Sequence, residues 1–178
     1  MASGSNAPDD SFTFEWGSTP ESREQDNITS RAYRAIERDD AEEIRRLAAE
    51  NPGWIGGDVF HDAVRWGSRE CVSALLALGN SANEPDEGGG TPLMYAAQGD
   101  LALVQLLIAA GADPNVLAED NDPEIDPDCH GQSALFWAVL AGSQDVANYL
   151  APRTCVELRE RIPEALRRRW EQETRRFD

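Results

Sequence analysis

The sequence predicts an all-α solenoid made of stacked helix-turn-helix units. Three observations predict it. The segment "GGTPLMYAAQGDLALVQLLIAAGADPN", residues 89–115, encodes two short helices joined by a tight turn. The same order of small and apolar residues recurs before and after it, with 33 residues between Asp58 and Thr91. No single unit of this size buries its own apolar side, so each needs a stacked neighbour.

Within residues 89–115, Thr91 is placed to cap free N–H groups, and Pro92 fits the first helical position because it has no N–H to lose. Leu93, Ala96 and Ala97 share one side of the first helix, and the alanines are small enough for another helix to come close. Gly99 is expected to end that helix in the left-handed conformation that glycine adopts cheaply. Leu103, Val104, Leu106, Leu107 and Ile108 form the apolar side of the second helix. Gly111 ends it, and Ala112-Asp113-Pro114-Asn115 turns the chain outward into a projecting loop.

Three further copies fall in register. In the copy starting at Asp58, Ala63 takes the place of Ala96, and Gly67, Val72, Leu75, Leu76 and Gly79 match Gly99, Val104, Leu107, Ile108 and Gly111. One residue fewer lies between Ala97 and Gly99 than between the matching positions of this copy. The copy at Ser133 keeps Ala138, Gly142, Val146 and Leu150. The copy at Ser30 is weaker: Ala35, Ile44 and Leu47 are in register, and Asn51 stands for the terminal glycine, asparagine being the next best residue for that backbone.

These residues resemble the ankyrin repeat. Thr91-Pro92-Leu93, Ala96-Ala97, Gly99, Val104, Leu106-Leu107, Gly111-Ala112-Asp113 and Asn115 follow its consensus, and His61 stands at its histidine position, which has a structural hydrogen-bonding role. The resemblance covers about residues 30–151. It implies an all-α ankyrin-repeat solenoid of four helix-turn-helix repeats with a helical C-terminal cap. It also implies loops projecting from one edge, no intrinsic catalysis, and a function of binding other proteins. The expected organisation is an acidic, largely disordered tail over 1–29, repeats over 30–57, 58–90, 91–132 and 133–151, and capping helices over 152–178.

Composition narrows the partner. The 178 residues carry 33 acids against 16 bases, a formal charge of −17, and every base is arginine. That balance repels nucleic acid and anionic membrane and favours a basic protein partner or simply solubility. Cys71, Cys129 and Cys155 are odd in number and lack CxxC spacing, which points to a reducing compartment. No N-terminal signal is present, and no apolar run approaches the ~20 residues of a membrane helix. A cytoplasmic protein, monomeric when unbound, is expected.

Departures from the repeat carry the functional reading. Thr91 and Ser133 are 42 residues apart, so about ten residues, "AEDNDPEIDP" at 118–127, are inserted in a projecting loop. Residues 119–130 hold six acids and no base. Asp120, Asp122, Glu124, Asp126 and Asp128 are read as an acidic finger for a basic partner, with a solvated insertion as the alternative. Glu87, in "EPDEGGG", belongs to the preceding acidic loop, and His130 and Gln132 stand at the foot of the inserted one. Calcium fits poorly, since the turn glycine and terminal glutamate of the helix-loop-helix site are missing. Cys129-His130 lacks partners at zinc spacing. "EGGGTP" lacks the Lys-Ser/Thr of a phosphate loop. No metal, cofactor or catalytic residue is therefore expected.

In the family resembled, residues just before the Gly67 position and before the repeat starts face the concave surface. This makes Trp54, Arg65, Trp66 and Gln98 candidate contacts, because Trp and Arg are enriched among binding hot spots. The alternative is that Trp66 packs on the neighbouring repeat. Phe136 and Trp137 lie inside a first helix, and Cys71 on the apolar side of a second; all three are expected in the core. Phe12, Phe14 and Trp16 either fold back over the first repeat or are recognised by a partner. Thr154-Cys155-Val156-Glu157 has a capping-box pattern, and Pro163 is expected to open a last helix with Leu166 and Trp170. The expected function is a non-catalytic, stoichiometric binder or immunity-type inhibitor of a basic protein such as a toxin. The alternatives are an adaptor linking two proteins and a metal-dependent sensor or enzyme using the 119–130 loop.

Overall fold

In a computed structural model of the chain, the described residues are 20–54, 56–118 and 132–174. The 3.6-residue periodicity of the apolar residues becomes four successive helix pairs. These are α1 (Pro20–Glu37) with α2 (Ala41–Glu50), α3 (Asp58–Arg65) with α4 (Arg69–Ala77), α5 (Pro92–Ala96) with α6 (Leu101–Ala109), and α7 (Ala134–Ala141) with α8 (Gln144–Leu150). A 3₁₀ turn over Ala151–Arg153 leads to α9 (Val156–Arg161) and α10 (Glu164–Thr174).

The first helices stack in chain order, α1 on α3, α3 on α5 and α5 on α7; in the second layer α2 packs on α4 and α6 on α8. Helix α10 closes the stack against α7 and α8, with Leu166 and Trp170 packed on the core as the sequence predicts. Ala35, Ala63, Ala96 and Ala138 are buried where first helices meet, and Leu47, Leu75, Leu107 and Leu150 are buried along the second helices. Trp137 packs against this core, and half-buried Phe136 meets it edge to face at 6.2 Å.

Side-chain acceptors start several helices. Asp40 Oδ1 accepts the Glu43 N–H at 3.1 Å, Asp100 Oδ1 the Leu103 N–H at 2.9 Å, and Ser133 Oγ the Phe136 N–H at 3.4 Å. Polar groups also tie each repeat to the next. Ser68 Oγ donates to Ile36 O at 2.7 Å, Cys71 N to Asp39 Oδ1 at 2.9 Å, and Ser143 Oγ to Gln98 O at 2.8 Å. In the loops, Asn83 Nδ2 donates to Gly111 O at 2.8 Å while Asn83 Oδ1 accepts the Asp113 N–H at 2.7 Å. His61 is buried with Nε2 at 2.9 Å from Glu84 O, which is the structural role the resemblance implies. Cys71 is fully buried, and burial, followed by the charge of Asp39, pushes its thiol up to about 12. It is a core residue and not a nucleophile.

Four local expectations are corrected. Helix α1 begins at Pro20, ten residues before the expected start of the first repeat, and Ile28 is buried. The expected tail boundary at residue 29 thus falls inside a helix, because Ile28 continues the apolar stripe of Ala32, Ala35 and Ile36. Gly99 is not left-handed. In the other repeats Asp39 (φ 51°), Gly67 (φ 74°) and Gly142 (φ 75°) are, and the next N–H reaches back five residues: Asp40 to Ala35 O, Ser68 to Ala63 O, Ser143 to Ala138 O. Around Gly99, Asp100 N–H reaches back only four, to Ala96 O at 3.0 Å, so the turn closes without a positive φ. Asn51 also stays at negative φ, −126°. Its side-chain amide donates to Leu47 O at 2.8 Å, and Gly53 takes the positive φ instead. The expected capping box of α9 does not form: Thr154 Oγ1 donates to Leu150 O at 3.0 Å, finishing the helix before it, and Cys155 becomes the N-cap residue.

Leu107 is fully buried in the middle of α6. Leu107→Ala should cost about 2–5 kcal/mol through lost burial and the cavity left behind. Chemical denaturation measures this, and a loss under about 0.5 kcal/mol, the range of surface sites, would contradict the assigned packing.

Candidate protein-binding surface

The surface begins where α3 ends. Trp66 is its C-cap residue, with αR backbone, and Gly67 then turns the chain away. The cap position leaves the indole 52% exposed, the most exposed large hydrophobic side chain among the described residues. Tyr33, from α1 of the preceding repeat, lies beside it with ring centroids 6.0 Å apart. Tyr33 Oη donates to Asp62 Oδ2 at 2.8 Å, and Arg65 Nη1 donates to Asp62 Oδ1 at 3.2 Å.

Arg65 reaches the other way as well. Its guanidinium lies 4.2 Å from the centroid of the Tyr95 ring, and Nη2 donates to Asp86 Oδ2. Tyr95 Oη donates to the same oxygen at 2.7 Å. Asp86 Oδ1 accepts the N–H groups of Gly88 and Gly90, each at 3.0 Å. A Cβ at Gly90 would run into the Tyr95 hydroxyl, so glycine is the residue that lets loop and ring close together. A polar chain therefore runs Tyr33–Asp62–Arg65–Asp86–Tyr95 across three repeats.

This chain sets the titration of its members. The hydrogen bond to Asp62, then burial, pushes the Tyr33 phenol up; burial, then the bond to Asp86, does the same to Tyr95. Burial works to raise Asp86, but its bonds from Tyr95 and the Gly90 amide, and the charge of Arg65, outweigh this and hold it below the usual carboxylate range.

Beside the chain lies a groove of about 480 Å³ lined by Arg65, Trp66, Tyr95, Gln98 and Asp100 among others. Three of the sequence-predicted contacts, Arg65, Trp66 and Gln98, are thus brought to one place. Trp66 does not bury itself in its neighbour, and Gln98 is exposed. Glu87 is exposed on the adjoining loop. Trp54 is corrected: it is half-buried and packs against the core, because its loop folds back over α2 through the Trp54 N–H to Asn51 O bond at 3.0 Å. Gln132 is also corrected. It is buried, and its carbonyl accepts the Ala118 N–H at 3.0 Å beside an antiparallel bridge between Leu117 and Ser133. It helps close the base of the inserted loop and does not face a partner. Asp120, Asp122, Glu124, Asp126, Asp128, Cys129 and His130 lie outside the described residues, as do Phe12, Phe14 and Trp16.

Sequence reasoning missed Asp86 and Tyr95. Asp86 was counted with the charges of an acidic loop, yet its carboxylate is spent on internal donors. The signal was an aspartate followed by "EGGG", which offers backbone N–H groups to an Asx-type turn. Among the described residues no group of acidic, His or Cys side chains is arranged to hold a metal ion, and no helix is long and apolar enough to cross a membrane.

A family model described as Ankyrin repeats (3 copies) matches residues 32–118, the stretch that builds this surface. Residues 32–118 of the chain are ankyrin repeats. Among curated proteins it is similar to protein phosphatase 1 regulatory subunit 27 of Homo sapiens, 36% identical over 94 residues, which is 51% of this chain and 60% of that protein. It is similar to ankyrin repeat and SAM domain-containing protein 6 of Rattus norvegicus, 36% identical over 95 residues, 52% of this chain and 10% of that one. It is also similar to DNA-binding protein RFXANK of Homo sapiens, 37% identical over 73 residues, 40% of this chain and 28% of that one. The chain spans less than two thirds of the length of each of these relatives. The ankyrin repeats make it a protein–protein interaction module.

The depressed Asp86 carboxyl gives this ankyrin surface a pH signature. Its contribution to stability is complete above the unfolded-state value of ~3.9 and is lost as pH falls through the lower folded value. Asp86→Asn should therefore melt below wild type at pH 7, and the gap should shrink below about pH 4. Thermal melts of both proteins between pH 7 and pH 3 read this; a gap that stays constant would show that the Asp86 charge does not hold the loop.

Proposed function

We propose that this ankyrin-repeat chain is a non-catalytic, stoichiometric binder of a basic protein, docking it on the face that carries Trp66. The observation that supports this most is the exposed Trp66 indole beside a groove whose walls are already fixed. Arg65 and Tyr95 are held by Asp86, and Tyr33 by Asp62, so binding would order few side chains and keep more of its contact energy. The formal charge of −17 adds long-range attraction for a basic partner. An inhibitor of a basic enzyme or toxin, of the immunity type, fits this arrangement, since an acidic surface with a rigid aromatic anchor suits a cationic active site. Regulation of a bound partner is also the role in the printed name of the phosphatase regulatory subunit to which the chain is similar.

The adaptor reading has one observation in its favour. A second groove of about 500 Å³ lies at the C-terminal cap, lined by Asn148, Val156, Arg159, Glu160, Arg167 and Trp170 among others. It is built by α8, α9 and α10, away from the Trp66 face, and a second protein docking there would make the chain a link between two partners.

Affinity capture from the native cell followed by mass spectrometry identifies the partner, and association and dissociation rates at two ionic strengths then test the docking face. Trp66→Ala should cost about 2 kcal/mol or more of affinity, chiefly through faster dissociation. Neutralising Asp120, Asp122, Glu124 and Asp126 together should slow association and flatten its salt dependence. Full affinity in Trp66→Ala would place the docking face elsewhere, and a wild-type association rate in the quadruple variant at low salt would make the inserted loop a solvated extension.

A further inference from the structure

We propose that Tyr33, Asp62 and Trp66 form a receptor for an arginine side chain of the partner. The proposal rests on the reading of the Trp66 face as the docking face and specifies the chemistry that face selects.

The chain contains its own template for such a receptor. At Tyr95, the phenol donates to Asp86 while a guanidinium lies over the ring and bonds the same carboxylate. A phenol–carboxylate pair recurs between the first two repeats, with Tyr33 Oη donating to Asp62 at 2.8 Å. Among the described residues, the rings with a guanidinium over them are Tyr95 and Tyr149, not Tyr33. Arg65 bonds Asp62 but lies over Tyr95, and beside the Tyr33 ring stands the exposed indole of Trp66 at 6.0 Å.

Hydrogen-bonding capacity singles out the same site. An ionised carboxylate accepts about four hydrogen bonds. Asp86 already takes donors from Arg65, Tyr95, Gly88 and Gly90 and is full. Asp100 takes Leu103 N and two guanidinium nitrogens of Arg69. Among the described residues Asp62 takes the Tyr33 hydroxyl and one Arg65 nitrogen, so its carboxylate has room for another donor. Asp62 and Trp66 are one helical turn apart, with the Trp66 N–H bonded to Asp62 O at 2.9 Å, so both project from one side of α3 beside Tyr33. The charge of Asp58, one turn earlier, acts on the Tyr33 hydroxyl and adds negative potential.

This combination suits arginine better than lysine. A planar guanidinium stacks on the indole face while offering in-plane N–H groups to a carboxylate, whereas an ammonium is a compact, strongly hydrated charge that does neither as well.

The test is an NMR titration of the isotopically labelled full chain with N-acetylated, amidated Gly-Arg-Gly, Gly-Lys-Gly and Gly-Glu-Gly peptides. The arginine peptide should shift the Trp66 indole and Gly67 amide signals at lower concentration than the lysine peptide, and the glutamate peptide should leave them in place. Trp66→Ala should weaken arginine-peptide binding by about 2- to 30-fold, the span of a cation–π contact. Trp66→Phe, which keeps a ring, should lose less, and Asp62→Asn should weaken binding while retaining an acceptor for Tyr33. Equal shifts with arginine and lysine, or shifts spread over the acidic surface and indifferent to Trp66→Ala, would overturn the arginine receptor. A captured partner that is released by Trp66→Ala while the arginine peptide leaves Trp66 unmoved would also overturn it, with the docking face intact. A partner that ignores Trp66→Ala would instead overturn the docking face.

Discussion

The close approach of the first helices governs everything else in this molecule. Ala35, Ala63, Ala96 and Ala138 are at most 3% exposed at the seams between α1, α3, α5 and α7. Interiors of this kind pack densely, and an added methylene at such a contact pushes whole elements apart. The spacing fixed at these alanines decides how far Tyr33 lies from Trp66 and Arg65 from Tyr95, since each pair spans two repeats. The proposed binding face is thus a consequence of the seam: the small residues determine the distances and the large ones use them.

A second, polar constraint lies across the first. Several acidic groups at the junctions between repeats answer a need created by stacking. Asp39 adopts a left-handed turn and accepts the Cys71 N–H of the next repeat. Asp100 caps α6 and holds Arg69. Asp86 gathers the loop amides, Arg65 and Tyr95. Exposed ion pairs stabilise weakly on their own, commonly by under about 1 kcal/mol. Here their effect is mainly geometric, because the same carboxylates fix a loop, a ring and a guanidinium in one arrangement.

The repeat register was legible because it depends on side-chain size and period. Leu107, Val104 and Ala138 fall where their spacing puts them, and Arg65, Trp66 and Gln98 line one groove. What was hidden depends on donors and acceptors that a linear pattern does not display. Asp86 looks like any other acid in a glycine-rich loop until Tyr95, five residues after the loop begins to turn back at Gly90, is seen to donate to it. Gln132 reads as a polar residue at the foot of a loop, and only its pairing with Ala118 shows that it closes the loop. Gly99 matches the consensus glycine in sequence, yet one residue fewer in its turn removes the need for a positive φ. The start of α1 was missed because residues 20–27 are polar and carry no apolar stripe of their own.

The distribution of charge separates two tasks that composition alone merges. Of the acids on the Trp66 face, Asp86 and Asp100 are committed to internal donors, so they shape the surface more than they attract a ligand. Attraction at distance depends instead on the summed charge of −17, which acts over the roughly 8–10 Å that physiological salt permits. Under the proposed docking, recognition at contact would depend on few groups: the exposed Trp66 indole, the Tyr33 phenol held in place and the Asp62 carboxylate. In that docking, charge would draw basic proteins towards this face, and Tyr33, Asp62 and Trp66 together would retain those that present a matching side chain.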